Sequence, residues 1–411
     1  MHHSDYKKIH YFNEIEIAQM IKHYRFTKED AQALVAVQVL AEDNIPLLLS
    51  GFYEFIFSFE HATTFINNEV LIEKHKEGIK AWFLALFSGK YDEHYFHDLS
   101  IISETHVKVG LPSHYVNTAF SYVRQFLVKL LLETKNLNAL SAMHKIIDIN
   151  LDILSLTYKE EKKQKLLKDI VLIKRVVNAK TVIPYIQPIV NNKDEKVVKY
   201  ECLMRLQDPI TGEIHSIYPY LHTAKTILLY EDLMHLMIEK CFDIFNANNA
   251  TFSINLSYED IVSSSFYKHL HKKIKAFSNP ERIIFEILET DSIMDFNIVL
   301  AFIIEMRKLG CRIAIDDFGS GYSNIENILK FKPDFIKIDG SLIKDLDHSK
   351  ESFHIVKNVI NIAKDMHAET IAEYVHNQEV YDIVKGLDID YLQGYYLEKP
   401  FPITELIDTM R

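Results

Sequence analysis

Apolar residues in the first 160 positions recur every three or four residues, and nothing before residue 170 alternates like a strand. Thr27-Lys-Glu-Asp30 has the form of a capping box and precedes Leu34, Val37 and Ala41 at helical spacing. After Ser113 the period continues through Val116, Phe120, Val123, Leu127 and Leu130. Gly110 and Pro112 punctuate the pattern, so a helix carrying Glu104 and His106 must end there. The spacing predicts an all-α first half. A connecting helix is expected over 147–177, with Ile147, Leu151, Leu154 and Tyr158 on one apolar seam. Leu166, Ile170, Ile173 and Val177 form a second seam, and the charged run Lys159 to Lys165 separates the two. Such seams suit pairing with a second copy of the chain, or packing of the helix on its own domain.

After Val177 the pattern changes to short apolar strands, each followed by a polar cluster and a helical stretch. The strands are Lys199-Tyr-Glu-Cys-Leu203, Thr251-Phe-Ser-Ile-Asn255, Arg282-Ile-Ile-Phe-Glu286 and Cys311-Arg-Ile-Ala-Ile-Asp-Asp317. Phe335-Ile-Lys-Ile-Asp339, Glu369-Thr-Ile-Ala-Glu373 and Tyr391-Leu-Gln-Gly394 follow. Strand–helix alternation implies a parallel sheet, and seven or eight such units imply a closed (β/α)8-type barrel. The expected organisation is an all-α domain over 1–158, a helical linker over 159–178 and an α/β barrel over 179–411.

Composition narrows the function. The chain is 48% hydrophobic and carries a net charge of −11, against the basic face of a nucleic-acid binder. Cys202, Cys241 and Cys311 lie scattered among apolar residues and predict buried thiols rather than a disulfide framework. The longest apolar stretch, Ile45 to Phe59, is interrupted by Ser50 and Glu54 and falls short of the roughly 20 residues a membrane span needs. With no secretory signal in its first residues, the protein is expected to be cytoplasmic, with no membrane partner.

The chemistry gathers at the barrel strands. Glu201, Asn255, Glu286, Asp316, Asp317, Lys337, Glu373 and Gln393 are each expected at the C-terminal end of a strand, the face where barrel active sites are built. One such acid alone suits a solvated strand end or a helix N-cap, but eight positions in register do not. Five carboxylates converging on one mouth call for cations, and an oxygen donor set favours Mg²⁺ or Mn²⁺ over zinc. Two such ions suit in-line attack on a phosphodiester. Lys337, between Ile336 and Ile338, suits either a structural salt bridge or a partner for the attacking water and the charge developing on phosphate.

These residues resemble the EAL-type cyclic di-GMP phosphodiesterases over about residues 180 to 405. The resemblance is carried by Glu201-Cys202-Leu203, Ile254-Asn255-Leu256-Ser257 and Phe285-Glu286-Ile287-Leu288-Glu289-Thr290. Asp316-Asp-Phe-Gly-Ser-Gly-Tyr-Ser323, Lys337-Ile-Asp339, Ala372-Glu373 and Gln393-Gly394-Tyr395 complete it. It implies hydrolysis of cyclic di-GMP, with Glu201, Asn255, Glu286, Asp316, Asp317 and Glu373 holding two Mg²⁺ or Mn²⁺. It further implies that Lys337 assists the water, that Gln187, Arg205 and Gln393 serve the substrate, and that Glu289 steadies the 317–323 loop. Cys202 stands where the family's naming motif has Ala. Tyr374 and His376 stand where the family has Gly and Glu, a departure expected to alter activity rather than abolish it. A weak barrel that only binds cyclic di-GMP as a receptor is the alternative.

A lone His106 on a helix suits a satisfied surface histidine, and His94, His97 and His114 lie nearby. Its surroundings resemble the globin of bacterial globin-coupled sensors over residues 25 to 135. Phe26-Thr-Lys-Glu-Asp30, Gly51-Phe52-Tyr53, Leu86-Phe87-Ser88-Gly89, His106-Val-Lys-Val-Gly110-Leu111-Pro112 and Tyr115 carry that likeness. It implies haem b held by His106 as proximal iron ligand, Tyr53 on the distal side, and O₂ or another diatomic gas as signal. The distal helix is expected to face the pocket around His75 and Gly78, with His75 a candidate second ligand. The combined reading is a homodimeric, gas-responsive cyclic di-GMP phosphodiesterase, or an active enzyme whose globin carries no haem.

Overall fold

The structure, a computed structural model, describes residues 14–59, 65–66, 68–290, 295–319 and 325–408. It comprises two compact units, Met1–Leu167 and Lys168–Arg411. No helix among the described residues is long and apolar enough to cross a membrane.

The first unit is helical, as the periodicity predicts. Its helices are α1 (Glu14–His23), α2 (Lys28–Val35), α3 (Gln38–Asp43), α4 (Ile45–Phe57), α5 (Glu69–Ala85), α6 (Glu93–Lys108), α7 (Ser113–Glu133) and α8 (Leu137–Ala179). The capping box forms: the Asp30 amide donates to Thr27 Oγ1, and the Thr27 amide donates to Asp30 Oδ2 at 2.8 Å. Asp92 caps α6 by accepting from the Tyr95 amide. At the other end of α6, the Leu111 amide donates to the His106 carbonyl and the Gly110 amide to that of Val107. This closure requires the left-handed φ of +76° at Gly110. The charged run Lys159 to Lys165 stays helical within α8.

Leu34, Leu48, Phe83, Phe87, Phe96, Leu127 and Ile146 form the core of this unit. Asn150, wholly buried on α8, is its polar centre. Its side-chain oxygen accepts from Trp82 Nε1 (3.1 Å) and from the Tyr95 hydroxyl (2.9 Å), and its nitrogen donates to the Ile146 carbonyl (2.8 Å). Asn150→Ala strands the Trp82 and Tyr95 donors and is expected to cost about 2–4 kcal/mol. Trp82 is the chain's single tryptophan, so its fluorescence during denaturant unfolding measures the loss in this unit directly.

The second unit is a closed eight-stranded barrel. Its strands are β1 (Val182–Asn191), β2 (Val197–Gln207), β4 (Thr251–Leu256), β5 (Ile283–Leu288), β6 (Arg312–Phe318), β7 (Phe335–Ile338), β8 (Glu369–Ala372) and β9 (Tyr391–Leu392). Short β3 (Ile214–Ser216) and β10 (Phe401–Pro402) are added to β2 and β1. Strands β2 and β4 to β9 run parallel, whereas β1 pairs antiparallel with both β2 and β9 and closes the ring. The strands that the sequence pattern singles out are parallel as expected, and β1 is the exception. The difference follows from the short link between β1 and β2, because a parallel return needs a crossover of a dozen or more residues. Residues Leu172, Ile173 and Val176 of α8 belong to the core of this unit, and Cys202, Cys241 and Cys311 are buried free thiols within it.

The two-residue alternation of the strands builds the interior in layers. Ile189, Ile284, Ala314, Phe335 and Ile371 form a small apolar cluster against which Tyr391 packs. Lys199, 4% exposed, lies with its ammonium 3.7 Å from the centre of the Phe335 ring and 3.4 Å from that of Tyr391. Two residues further on stand Glu201, Glu286, Asp316 and Lys337 on their strands, and Glu373 and Gln393 just past the ends of theirs.

Candidate functional site

The barrel interior brings together the carboxylates that the strand pattern singled out. The Lys337 ammonium, 1% exposed, lies 2.7 Å from Glu286, 2.7 Å from Glu373, 3.0 Å from Asp316 and 3.6 Å from Glu201. Asn255 Nδ2 donates to Glu201 Oε1 at 2.8 Å, and Gln393 Nε2 donates to Glu201 Oε2 at 2.7 Å. Gln393 also donates to Gln187 Oε1 (3.2 Å), whose own amide donates to the Glu398 carbonyl. Carboxylate oxygens of Asp316, Asp317 and Glu373 lie within 4.8 Å of one another.

Asn255, Glu286, Asp316, Asp317 and Lys337 lie near the C-terminal ends of their strands, and Glu373 and Gln393 just beyond theirs. Glu201 departs from that expectation. It lies mid-strand, level with Ser253, because β2 continues to Gln207 in its hairpin with β1. The missing strand-end signal is the antiparallel partner, which no period within β2 itself could show.

Electrostatics follow from crowding. Burial pushes Glu286 up to about 8, with repulsion from Glu201 and Asp316 added, although Lys337 opposes it. Burial likewise raises Asp316 and Glu373, again against Lys337. Asp317 is raised to about 6 by burial and by Asp316. For Glu201, burial is outweighed by Lys337 and by the hydrogen bonds from Gln393 and Asn255, and its carboxyl is held below the ordinary range. Five carboxylates against one ammonium leave four negative charges when all are ionised, which two divalent cations would neutralise. The donor set is oxygen only and fits hard cations.

Around this cluster, Glu289 Oε2 accepts from the Gly319 amide at 3.2 Å, on the loop after β6; residues 320–323 of that motif lie outside the described residues. The Arg205 guanidinium lies over the Tyr185 ring. Tyr374 keeps a left-handed φ of +55°, a conformation that costs a bulky residue strain, and its side chain is 52% exposed. His376 is exposed and Nδ1 donates to the Tyr374 carbonyl at 3.2 Å. Gly394 is held against Val375, where an added Cβ would lie 2.0 Å from the carbonyl oxygen, so the turn beside Gln393 admits no side chain. Two interior residues escaped the sequence reading. Ser253 has a buried hydroxyl with no hydrogen-bond partner, and Lys199 has a buried ammonium with none. The period of two in Thr251-Phe-Ser-Ile-Asn255 was the available signal for Ser253.

In the helical unit, Tyr53 of α4, His75 of α5 and His106 of α6 converge. The Tyr53 hydroxyl lies 2.6 Å from His75 Nδ1 and 3.4 Å from the Ile72 carbonyl. The His75 and His106 rings are perpendicular, with centres 6.4 Å apart. His106 Nδ1 is buried with no hydrogen-bond partner. Burial and then the neighbouring His106 lower His75 to about 4, and burial lowers His106. Both imidazoles are thus kept neutral, the form a metal takes. Gly78, expected to line the same pocket, is exposed with open space beside it, and its neighbour Ile79 on α5 is buried. Buried, neutral imidazole nitrogens beside a phenol fit a haem iron.

The EAL domain family model matches residues 171–400, and the Protoglobin family model matches residues 13–164. The chain is 30% identical over 240 residues to the cyclic di-GMP phosphodiesterase PdeB of Shewanella oneidensis, covering 57% of this chain and 28% of that protein. It is 37% identical over 153 residues to the cyclic di-GMP phosphodiesterase PdeA of Borreliella burgdorferi, covering 37% and 23%. The chain therefore spans less than a third of the length of these curated relatives. The FimX EAL domain from Pseudomonas aeruginosa, solved with c-di-GMP bound, is similar with a TM-score of 0.53 and 24% identity over 56% of this chain and 96% of that one. An EAL domain protein from Listeria monocytogenes is similar with a TM-score of 0.53 and 24% identity, over 58% and 96%. At these identities the likeness shows the fold.

Proposed function

From the premise that this chain belongs to the EAL domain family, with a globin preceding the barrel, we propose that it is a gas-responsive phosphodiesterase that hydrolyses cyclic di-GMP to the linear dinucleotide. The observation that carries the reading is the ring of Glu201, Glu286, Asp316 and Glu373 around the buried Lys337 ammonium. Glu201, Asn255, Glu286, Asp316, Asp317 and Glu373 would hold two Mg²⁺ or Mn²⁺. When bound, these ions supply Lewis acidity to the phosphate and a nucleophilic water at neutral pH.

The chain's own residues do the positioning. Lys337 holds four carboxylates from four strands in one cluster and offers its ammonium to the attacking water and to charge developing on phosphate. Attack on phosphorus breaks one P–O3′ bond, and the departing oxygen takes up a proton. Gln393, bonded to both Glu201 and Gln187, fixes the carboxylate that faces Asn255. Arg205, on the same strand as Glu201, would meet a substrate phosphate. Glu289 would tie the loop at Gly319 to the site.

In the helical unit His106 would hold haem b, with O₂ or another diatomic gas as the signal. Ile147, Leu154, Tyr158 and Ile173 of the expected seams are buried in the cores of their own units, so a second copy pairing along α8 would use the exposed Leu166, Leu167 and Val171 to pass the signal on. The full-length protein with Mg²⁺ or Mn²⁺ is expected to convert cyclic di-GMP to linear product, and excess chelator is expected to stop it. Binding of cyclic di-GMP without turnover under any divalent metal would instead make the barrel a receptor.

A further inference from the structure

We propose that His75 is a second axial ligand of the haem iron, opposite His106, so that a diatomic gas binds only by displacing it. The inference rests on the reading of the first unit as a haem globin and deepens it.

Distance separates the alternatives. Two imidazoles sharing a direct N–H···N bond would have ring centres about 5 Å apart. A histidine that instead donated to a gas bound on the iron would lie at least about 8 Å from the proximal ring. Two metal–nitrogen bonds of about 2 Å, with each ring centre about 1 Å behind its nitrogen, give about 6 Å. The observed separation is 6.4 Å.

His106 Nδ1 is buried with no hydrogen-bond partner. His75 Nδ1 faces Tyr53, and the Tyr53 hydroxyl also faces the Ile72 carbonyl. If His75 Nδ1–H donates to the phenol oxygen and the phenol donates to Ile72, Nε2 of His75 carries a lone pair. Tyr53 is then the group that fixes the tautomer and orientation of His75, a positioning role of the kind metal-bound histidines commonly require.

The test uses the haem-loaded full chain, reduced under nitrogen, with CO as probe. The expected ferrous spectrum has the sharp, split visible bands of a six-coordinate low-spin haem. The CO association rate is expected to level off as CO is raised, because release of His75 becomes limiting. In His75→Ala the spectrum should become five-coordinate, and the CO rate should rise linearly. Tyr53→Phe should loosen His75 and raise the plateau rate by about tenfold. A five-coordinate ferrous spectrum in the unmodified protein, or a CO rate without a plateau, overturns the assignment while leaving the haem reading intact. A low-spin spectrum unchanged in His75→Ala overturns it too, since another group would then be the ligand. Should His75→Ala fail to fold, the CO rates of the unmodified protein decide. Absence of a Soret band after expression with ample haem removes both readings together.

Discussion

Glu201→Ala is expected to lower metal-dependent hydrolysis of cyclic di-GMP on the order of 10³-fold, the scale on which one preorganised charge contact acts in a dry site. Glu201 is 7% exposed and touches three other members of the cluster: Asn255, Gln393 and Lys337. Its loss removes a charge from the ring and frees the amides that orient it. Glu201→Gln keeps the side-chain volume and removes only the charge, so it separates metal holding from packing. Both variants are expected to show weakened Mg²⁺ or Mn²⁺ binding by calorimetry and to keep the spectrum of the helical unit. Undiminished turnover in Glu201→Ala would sink the metal assignment.

Lys337→Met is expected to destabilise the metal-free barrel by about 3–5 kcal/mol, because it leaves buried carboxylates without their counter-charge. For a domain of this size that corresponds to a fall in Tm of about 10 °C. Saturating divalent metal should recover part of the loss by binding only the folded state. The pH dependence has a definite sign. Glu286 is raised to about 8 from 4.5, so its contribution favours the folded state below about pH 4.5 and is lost as pH rises through about 8. Without Lys337 to oppose that shift, the decline in Tm should continue above about pH 8. Calorimetry of metal-free protein across this window checks it, and a flat profile in both proteins would refute the charge account.

Much of the site was legible because barrel strands write their interior at every second residue. Ile284 and Glu286, Phe335 and Lys337, and Ile371 and Glu373 each show an apolar residue and, two places on, a chemical one. What stayed hidden depends on partners distant in the chain. The antiparallel course of β1, and with it the mid-strand place of Glu201, comes from pairing with β2 and β9 rather than from any local period. The same holds in the helical unit. Its helices and caps could be read from the residues, but Asn150 looks like an ordinary polar position until Trp82 and Tyr95 converge on it.

The apolar layer beneath the carboxylates has a consequence for how such an enzyme could be adapted. Ile284, Ala314, Phe335 and Ile371 each stand two residues before a member of the charged ring. Enlarging Ala314 or trimming Phe335 would shift the strands that carry Asp316 and Lys337 while leaving every liganding oxygen chemically intact. Preference between a small, rigidly octahedral cation and a larger, more tolerant one depends on cavity size as much as on donor identity. If the proposed metal site forms, its selectivity would therefore be open to tuning from underneath, by repacking hydrocarbon and leaving the carboxylates in place.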